Sequence, residues 1–377
     1  MPITRKWAYF DHAAVGPLPQ PTAEVIRRWC SEAGEEGDTV WPTWNRAVNA
    51  ARSTAAELIQ AQPDEIALVP NTTMGISLVA EGFPWKQGDN IVTLANEFPS
   101  NLYPWMHLAD RGVETRRVEV DPSGRVDLDR LLAACDDRTR IVSCSWIGFA
   151  SGFRIELAKF VDAVHERGAY FFLDAIQGFG VFPLNVEEIP IDFLAADGHK
   201  WMLGPEGAGI FYVRKQHLDL LRPLGIGWYS VVHCFDFSKV ELNLKPAAAR
   251  YEGGTMNAVG FMALDRSLQV LKQFGLGANH SSIADGVIEV TNYACERLLQ
   301  IGAEVINLRE PKHKSGIVSF RFANQDLPAV RDRCLAAGIV LSCRNGCLRI
   351  SPHAYNNTNE IDQLIDCLHS SGKGATT

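Results

Sequence analysis

Apolar residues occur in short runs between residues 64 and 213, and segments with a helical spacing of apolar positions separate these runs. Short apolar runs bounded by turn-forming residues are typical of buried strands, whereas apolar positions three and four residues apart indicate helices. The predicted strands cover residues 65–69, 90–95, 113–118, 140–145, 169–173, 192–196 and 209–213. The predicted helices cover residues 72–82, 101–110, 128–135 and 155–167. This alternation predicts an α/β fold with a mostly parallel seven-stranded sheet flanked by helices.

The pattern changes after the glycine-rich, irregular segment 239–255. The elements predicted beyond it are helices 259–273 and 281–300, strand 316–322, helix 328–337, strands 339–342 and 347–350, and helix 358–368. This mixture of helices and short strands predicts a smaller α+β domain. We therefore expect an N-terminal arm at 1–21, a large domain at 22–255, a small C-terminal domain at 256–370 and a flexible tail at 371–377.

The composition is that of a globular enzyme, with 46% hydrophobic residues, 21% charged residues and a net charge of −8 at pH 7. A negative net charge argues against nucleic acid or an anionic membrane as a partner, because both bind basic surfaces. No apolar stretch is long enough to span a bilayer and no apolar signal segment follows Met1, so we expect a cytoplasmic location. The nine cysteines form no C-x-x-C pair, which argues against a zinc site or a disulfide framework.

Candidate chemistry centres on Lys200, which follows Asp197, Gly198 and His199 and precedes Trp201. A single lysine is usually a solvated surface charge. Here glycine and apolar residues surround it, so partial burial is expected, and burial would lower the pKa of the amine and make it nucleophilic. Such a lysine can hold an aldehyde cofactor as a Schiff base.

Asp174 ends a strongly apolar predicted strand, at the edge of the sheet where ligands bind in folds of this kind. A carboxylate there either caps a following helix or pairs with a protonated pyridine nitrogen. Gln177, three residues further on, would donate to the phenolic oxygen of the same ring. Together with Lys200, these residues point to pyridoxal 5′-phosphate (PLP) as the cofactor.

A phosphate site for this cofactor is predicted at Asn71, Thr72 and Thr73, which open a helix directly after a strand. The N-terminus of a helix offers free N–H groups to an anion. The alternative is that a threonine here is a plain helix cap. His199 is a further candidate phosphate donor. Phe98 follows another predicted strand and either stacks on the cofactor ring or belongs to the core.

Arg349 lies inside an apolar predicted strand. A buried arginine needs an anionic partner, which would be a substrate carboxylate or the acidic member of a structural ion pair. Arg344 is a second candidate for the substrate carboxylate. The sequence contains no phosphate loop of the G-x-x-x-x-G-K-[ST] type, no H-E-x-x-H and no G-x-S-x-G motif.

The order of these motifs, with Gly253-Gly254-Thr255 before Arg349, resembles the class V aminotransferases over about residues 9–368. This group includes cysteine desulfurases, selenocysteine lyases and isopenicillin-N-epimerase-like proteins. The resemblance implies a fold-type-I PLP enzyme that is a homodimer with active sites shared between subunits. It further implies that Lys200 and Asp174 are catalytic and that Thr255 reaches the cofactor phosphate of the partner subunit. We expect the substrate pocket to involve residues 12–15, residues 225–231 and the partner.

Three positions depart from the desulfurase pattern. Phe98 stands where desulfurases stack a histidine on the ring, and the loop that carries their nucleophilic cysteine is shortened here to the segment from Cys343 to Cys347. Asp197 stands where relatives often have a hydroxyl residue; a carboxylate there would repel a phosphate dianion unless it turned away or was protonated, so Asp197 is not assigned to the site. The first two departures, at Phe98 and in the shortened segment, favour transamination, racemisation or elimination on an α-amino acid. The alternatives are a cysteine desulfurase or selenocysteine lyase, and a non-catalytic scaffold.

Overall fold

Seven strands form the central sheet of the protein, whose computed structural model describes residues 1–306 and 310–369. In chain order the elements are β1 (Ala8–Tyr9), α1 (Gln20–Glu35), α2 (Trp41–Leu58), β2 (Ile66–Val69), α3 (Thr72–Gly82), β3 (Asn90–Leu94), α4 (Tyr103–Met106), β4 (Glu114–Val118), α5 (Leu128–Ala133), β5 (Thr139–Ser145), α6 (Leu157–His165), β6 (Tyr170–Asp174), β7 (Phe193–Asp197), β8 (Gly209–Val213), α7 (Ala258–Gln273), α8 (Ser282–Gln300), β9 (Glu304–Val305), β10 (Val318–Arg321), α9 (Leu327–Ala336), β11 (Ile339–Val340), β12 (Ser342–Arg344), β13 (Cys347–Ile350) and α10 (Thr358–His369).

The central sheet has the order β2-β8-β7-β6-β5-β3-β4. Only β8 runs antiparallel to its neighbours, and the other strands are parallel. Helices cover both faces, so the inner strands are buried along their whole length and read as continuous apolar runs. The predicted α/β fold with a mostly parallel seven-stranded sheet is confirmed. Because β2, β3, β5, β6 and β7 point the same way, their carboxyl ends meet at one edge of the sheet.

The predicted elements differ from the observed ones in a few places. The helix expected at 101–110 is the short α4, which lies between two 3₁₀ turns and has Pro104 in its first turn, where the missing N–H is tolerated but cannot bond back to the preceding turn. No element was predicted in residues 22–63, which form α1 and α2 and pack on α7. The predicted domain bounds stay a prediction, and the tail at 371–377 lies outside the described residues.

A second sheet, of order β12-β13-β10-β9, is antiparallel. One face packs against α8, α9 and α10 through Phe320, Leu348 and neighbouring apolar residues. Ser342, Arg349 and Ser319 are in register across β12, β13 and β10 and therefore share the opposite face.

The N-terminal residues are tied to this second part of the molecule. β1 pairs in parallel with β11, and Asp11 forms a further bridge with Ser351 just after β13. Phe10 is buried in the same apolar cluster as β10 and β13. The segment that was expected to be an arm therefore delivers Asp11 and the residues after it to the region beside Arg349.

Asp192, just before β7, joins two histidines in a buried cluster. Its carboxylate accepts hydrogen bonds from His165 Nε2 at 2.8 Å, His217 Nε2 at 2.7 Å and the Phe171 N–H at 2.7 Å. Burial raises the pKa of Asp192, but the hydrogen bonds from the histidines and Phe171 outweigh it, so the pKa lies below its usual value. The hydrogen bond to Asp192 outweighs burial at His165 and raises the pKa of that histidine.

Asp192→Asn is expected to lower the free energy of unfolding by about 3 kcal/mol, because it leaves buried partners of the carboxylate unpaired. The depressed Asp192 pKa gives stability that is lost as the pH falls below about 4, and the raised His165 pKa gives stability that is lost as the pH rises above about 6.5. In urea denaturation, the free energy of unfolding should therefore differ most between the wild type and Asp192→Asn near pH 5.5. The exposed Asp366→Asn is the control, and an equal loss in both variants would contradict the assignment.

Candidate active site

A cavity of about 410 Å³ lies at the sheet edge where the carboxyl ends of the parallel strands meet. Every predicted site residue except Thr255 lines it: Asn71, Thr72, Thr73, Phe98, Asp174, Gln177, His199, Lys200, Arg344 and Arg349. Thr255 is exposed and borders separate surface grooves instead. Of the expected substrate-pocket segments, 12–15 contributes Ala13 and Ala14, whereas 225–231 does not line this cavity.

Lys200 lies in the turn that follows β7 and is only 8% exposed. The turn is tight, because a side chain at Gly198 would bring a Cβ within 2.5 Å of the Ala208 carbonyl oxygen. Burial lowers the pKa of the Lys200 amine to about 8, although the nearby Asp174 carboxylate acts in the opposite direction. The predicted burial of this lysine is therefore observed, and about a tenth of its amine is unprotonated at pH 7, far more than for an exposed lysine.

Asp174 ends β6 and is 2% exposed. Burial raises the pKa of its carboxyl group to about 6, against the Ile176 N–H and the Lys200 amine, which lower it. Its Oδ1 accepts a hydrogen bond from Ile176 N at 3.1 Å, and turns rather than a helix follow, so the helix-cap alternative does not apply. A buried carboxylate with one backbone donor can accept a further hydrogen bond from a ring N–H.

Gln177 is fixed between the N-terminal segment and the lysine turn. Its Oε1 accepts from Trp201 Nε1 at 2.8 Å, and its Nε2 donates to the Ala13 carbonyl at 3.1 Å. A primary amide has two N–H donors, so one remains for a group in the cavity. This arrangement suits the predicted contact with a phenolic oxygen.

The start of α3 supplies donors at the other end of the cavity. Asn71 caps the helix by accepting a hydrogen bond from Met74 N at 2.9 Å, so the threonine hydroxyls are not used for capping. Thr72 Oγ1 accepts from the Asp197 N–H at 3.0 Å, and Thr73 Oγ1 donates to Ser100 Oγ at 2.8 Å. The free N–H groups of the first helical turn and the hydroxyls together suit a phosphate group.

His199 and Asp197 also line this end of the cavity. Asp197 Oδ2 lies 3.0 Å from His199 Nδ1, although the angle is not that of a regular hydrogen bond. Asp197 was left out of the predicted site, yet it lines this cavity and its carboxylate lies beside His199. The predicted set of cofactor-contacting residues stays a prediction.

Phe98 and Phe149 form an apolar wall of the cavity. The two rings meet edge to face with centroids 5.3 Å apart, and Lys200 Nζ lies 5.5 Å from the centre of the Phe98 ring. Phe98 is 43% exposed, so it is not a core residue, and it stands where a flat cofactor ring next to Lys200 would stack.

Arg349 reaches the cavity from β13 and is 1% exposed. Its Nη2 donates to Asp11 Oδ1 at 3.0 Å, its Nη1 to the Phe149 carbonyl at 2.7 Å and its Nε to Ser342 Oγ at 3.2 Å. Arg349 therefore forms the structural ion pair that was one of the two expectations for it. One N–H on each of its Nη atoms nevertheless remains for a ligand. Arg344 also lines the cavity, and its Nη1 donates to the Cys343 carbonyl at 3.0 Å.

Further polar residues in or beside the cavity were not predicted, among them Ser100, Ser145, Glu97 and Asp11. Glu97 is buried beneath the cavity, where it accepts hydrogen bonds from Ser145 N at 2.7 Å and from Ser145 Oγ. Burial raises the pKa of Glu97 to about 7, although the bonds from Ser145 oppose this. Glu97 and Ser145 carried the same signal as Asp174, a polar residue at the end of an apolar strand. Asp11 carried no local signal.

None of the nine cysteines, all of which lie in the described residues, lines the cavity. The shortened segment is a tight hairpin, in which β12 and β13 are joined by Asn345 and Gly346 with φ angles of 48° and 71°. Two successive residues with positive φ are typical of a type I′ turn. Arg344 and Cys347 are paired in this hairpin, and Cys347 shares the sheet face of Arg349. Burial raises the pKa of Cys347, against the effect of Arg321.

The cavity fits PLP. Asp174 would face the pyridine nitrogen, Lys200 the aldehyde, Gln177 the phenolic oxygen, and the start of α3 with His199 the phosphate. A carboxylate at one end, helix N–H groups at the other and an amine between them are the donor set that this molecule needs. No helix in residues 1–306 and 310–369 is long and apolar enough to cross a membrane.

Comparisons with known proteins agree with this geometry. The family model "Aminotransferase class-V" matches residues 8–364. A probable cysteine desulfurase of Methanothermobacter thermautotrophicus is 29% identical over 98% of this chain and 95% of its own. The apo structure of a cysteine desulfurase from Thermococcus onnurineus is 25% identical, with a TM-score of 0.89 over 99% of this chain and 96% of that one.

A structure of a C-DES variant with glycine covalently linked to its PLP cofactor has a TM-score of 0.89 at 22% identity over 96% of each chain. This likeness concerns the fold, and it confirms the predicted fold-type-I architecture. The match of the family model over most of the chain confirms the predicted family and its cofactor. The protein is a PLP-dependent enzyme, and its chain belongs to the aminotransferase class-V family.

Proposed function

We propose that the protein is a cysteine desulfurase, which takes the sulfur atom from cysteine and leaves alanine. The observation that carries this proposal is the similarity to curated cysteine desulfurases along nearly the whole length of both chains. The relatives favour this activity over transamination, which the sequence alone had favoured. The small cavity supports it as well, because about 410 Å³ must hold the cofactor together with the substrate.

In this proposal PLP supplies an electron sink that stabilises negative charge at the α-carbon of the substrate. Lys200 would hold the cofactor, and its Nζ would also move the proton of that carbon, for which an amine with a pKa of about 8 is well suited. Asp174 keeps a proton on the pyridine nitrogen, because a carboxylate buried beside it favours the charged ring. Phe98 and Phe149 exclude water from one side of the site.

Arg349 orients the substrate by binding its carboxylate with the two N–H groups that its protein partners leave free. Arg344 adds a second positive charge at the same side of the cavity. With its carboxylate bound at Arg349, the substrate would turn its amino group toward Lys200. The substrate side chain would then point to the part of the cavity that neither Arg349 nor Lys200 occupies. Binding through the carboxylate selects an α-amino acid over a simple amine.

The proposal includes a homodimer. Large apolar side chains are exposed on one segment of the described residues: Ile226, Trp228, Val232, Phe235, Phe237, Val240 and Leu242. A patch of this kind is typical of a protein–protein interface. Thr255 lies in the groove that Trp228, Phe235 and Phe237 border, so a partner that covers this patch would meet Thr255. This supports the expected role of Thr255 at the phosphate of the partner's cofactor.

The test is a product analysis of the purified holoenzyme with cysteine and a thiol reductant. Desulfuration gives alanine and sulfide in equal amounts. If the products are pyruvate, ammonia and sulfide, the reaction is elimination and the proposal is wrong. If a keto acid forms only when an amino-group acceptor is present, the reaction is transamination and the proposal is also wrong. Purified protein that binds no PLP would contradict the assignment of a PLP-dependent activity and favour the non-catalytic scaffold.

Two single cysteine variants sharpen the test. In the proposal the Cys347 thiol takes the sulfur as a persulfide, and the thiol proton ends on the product. Register places Cys347 on the face of the sheet that carries Arg349, and Cys343 with Leu348 on the opposite, apolar face. Cys347→Ser should therefore lower alanine formation at least about tenfold, whereas the matched Cys343→Ser should not. Unchanged activity in Cys347→Ser would rule out this thiol as the acceptor.

A further inference from the structure

Asp197 contacts two of the side chains that would hold the cofactor phosphate, those of Thr72 and His199. Its backbone N–H donates to Thr72 Oγ1 at 3.0 Å, and its Oδ2 lies 3.0 Å from His199 Nδ1. The residue is 5% exposed, and its Oδ1 is buried without a hydrogen-bond partner in the described structure. A buried carboxylate that is satisfied so poorly needs a reason, because leaving a charge without partners costs stability.

The contact with Thr72 sets the direction of a hydroxyl group. A hydroxyl has one donor and two acceptor sites. Because Thr72 Oγ1 accepts from the Asp197 N–H, its own hydrogen stays free to donate into the cavity. A fully ionised phosphate group has oxygens that accept hydrogen bonds and no hydrogen to donate, so this direction is the useful one.

The contact with His199 orients an imidazole ring. The Asp197 carboxylate lies 3.0 Å from Nδ1, outside the geometry of a regular hydrogen bond, so a small rotation of either side chain would let a protonated Nδ1 donate to it. Nε2 makes no hydrogen bond within the described residues, and it can donate to a phosphate only if it carries a proton as well. The ring that fits between Asp197 and a phosphate is therefore the imidazolium, with one anion on each side.

Without that imidazolium, the same carboxylate would be harmful. It would lie beside a dianion in a buried site, where like charges repel strongly. The other charged groups of the cavity are Lys200 in the same turn, Asp174 on β6, Arg344 on β12 and Arg349 on β13. These groups are assigned above to the ring and the substrate, which leaves His199 as the cation that offsets Asp197.

We propose that Asp197 is a positioning residue for the cofactor phosphate. Its backbone directs the Thr72 hydroxyl, and its carboxylate holds His199 as a doubly protonated donor. The role concerns the cofactor alone and is independent of which amino acid the enzyme uses.

The test compares the affinities of the apo protein for pyridoxal 5′-phosphate and for pyridoxal in four proteins: wild type, Asp197→Asn, His199→Gln and the double variant. Both ligands offer the same aldehyde to Lys200, so the ratio of the two affinities isolates the phosphate. Asp197→Asn keeps the backbone bond to Thr72 and should lower the ratio about tenfold, as loss of an orienting partner does. In the His199→Gln background the same change should raise the ratio, because only the repulsion is removed.

If Asp197→Asn lowers the affinity ratio when His199 is present and raises it when His199 is replaced, the carboxylate acts through His199. A higher ratio for Asp197→Asn in the presence of His199 would overturn the proposal, since the carboxylate would then only repel. An equal effect in both backgrounds would overturn it too. Pyridoxal itself should bind all four proteins within about twofold, and a parallel loss of both ligands in Asp197→Asn would mark a merely structural residue.

Discussion

Lys200→Ala is expected to abolish turnover, with a fall in kcat of at least about 10³-fold. The substitution removes the amine that holds the cofactor and the group that moves the α-proton. No other lysine lines the cavity among the described residues, so no neighbour can take over either role. The rate of product formation from cysteine measures the effect, at protein and cofactor concentrations that saturate the noncovalent phosphate site.

Borohydride reduction separates this role from a general loss of structure. It should fix the cofactor irreversibly to the wild-type chain at Lys200, located by peptide mass, and should fix none to Lys200→Ala. The exposed Lys159→Ala is the matched control and should keep both trapping and activity. Full activity in Lys200→Ala, or trapping at another lysine, would contradict the assignment.

Local sequence signals found the parts of the site that follow buried strands. The apolar runs of β6 and β7 are buried on both faces, so their ends at Asp174 and Asp197 were visible without a structure. The start of α3 was also predicted correctly, because Asn71 and the threonines follow β2 at once. Strand ends share one edge of a parallel sheet, which explains why residues far apart in sequence converge as predicted.

Contacts between distant segments could not be predicted in this way. Asp11 meets Arg349 only because β1 pairs with β11 and Asp11 with Ser351, and nothing near Asp11 indicates that pairing. The surroundings of the Asp197 side chain could not be predicted either, because the sequence does not show that His199 Nδ1 lies beside it. For Thr255 the prediction depends on a second subunit, and the single chain offers no partner atoms to test it.

The second large effect is expected at Arg349. Arg349→Gln should lower kcat/KM for cysteine by about 10²-fold or more, since a buried, hydrogen-bonded charge pair is lost. For cysteamine, which lacks the carboxylate, kcat/KM should change little, so the preference for cysteine over cysteamine should collapse. Arg349→Lys keeps the charge but not the fork and should give an intermediate preference.

The ion pair with Asp11 complicates this experiment, because Arg349→Gln also leaves that carboxylate unpaired. Asp11→Asn is therefore the necessary control. It disturbs the same pair, yet it leaves the guanidinium in place with its bonds to the Phe149 carbonyl and Ser342. If Arg349 binds the substrate, Asp11→Asn keeps the preference for cysteine and Arg349→Gln loses it. If the two variants lose stability and activity alike with the preference unchanged, Arg349 serves only to join β13 to the N-terminal segment.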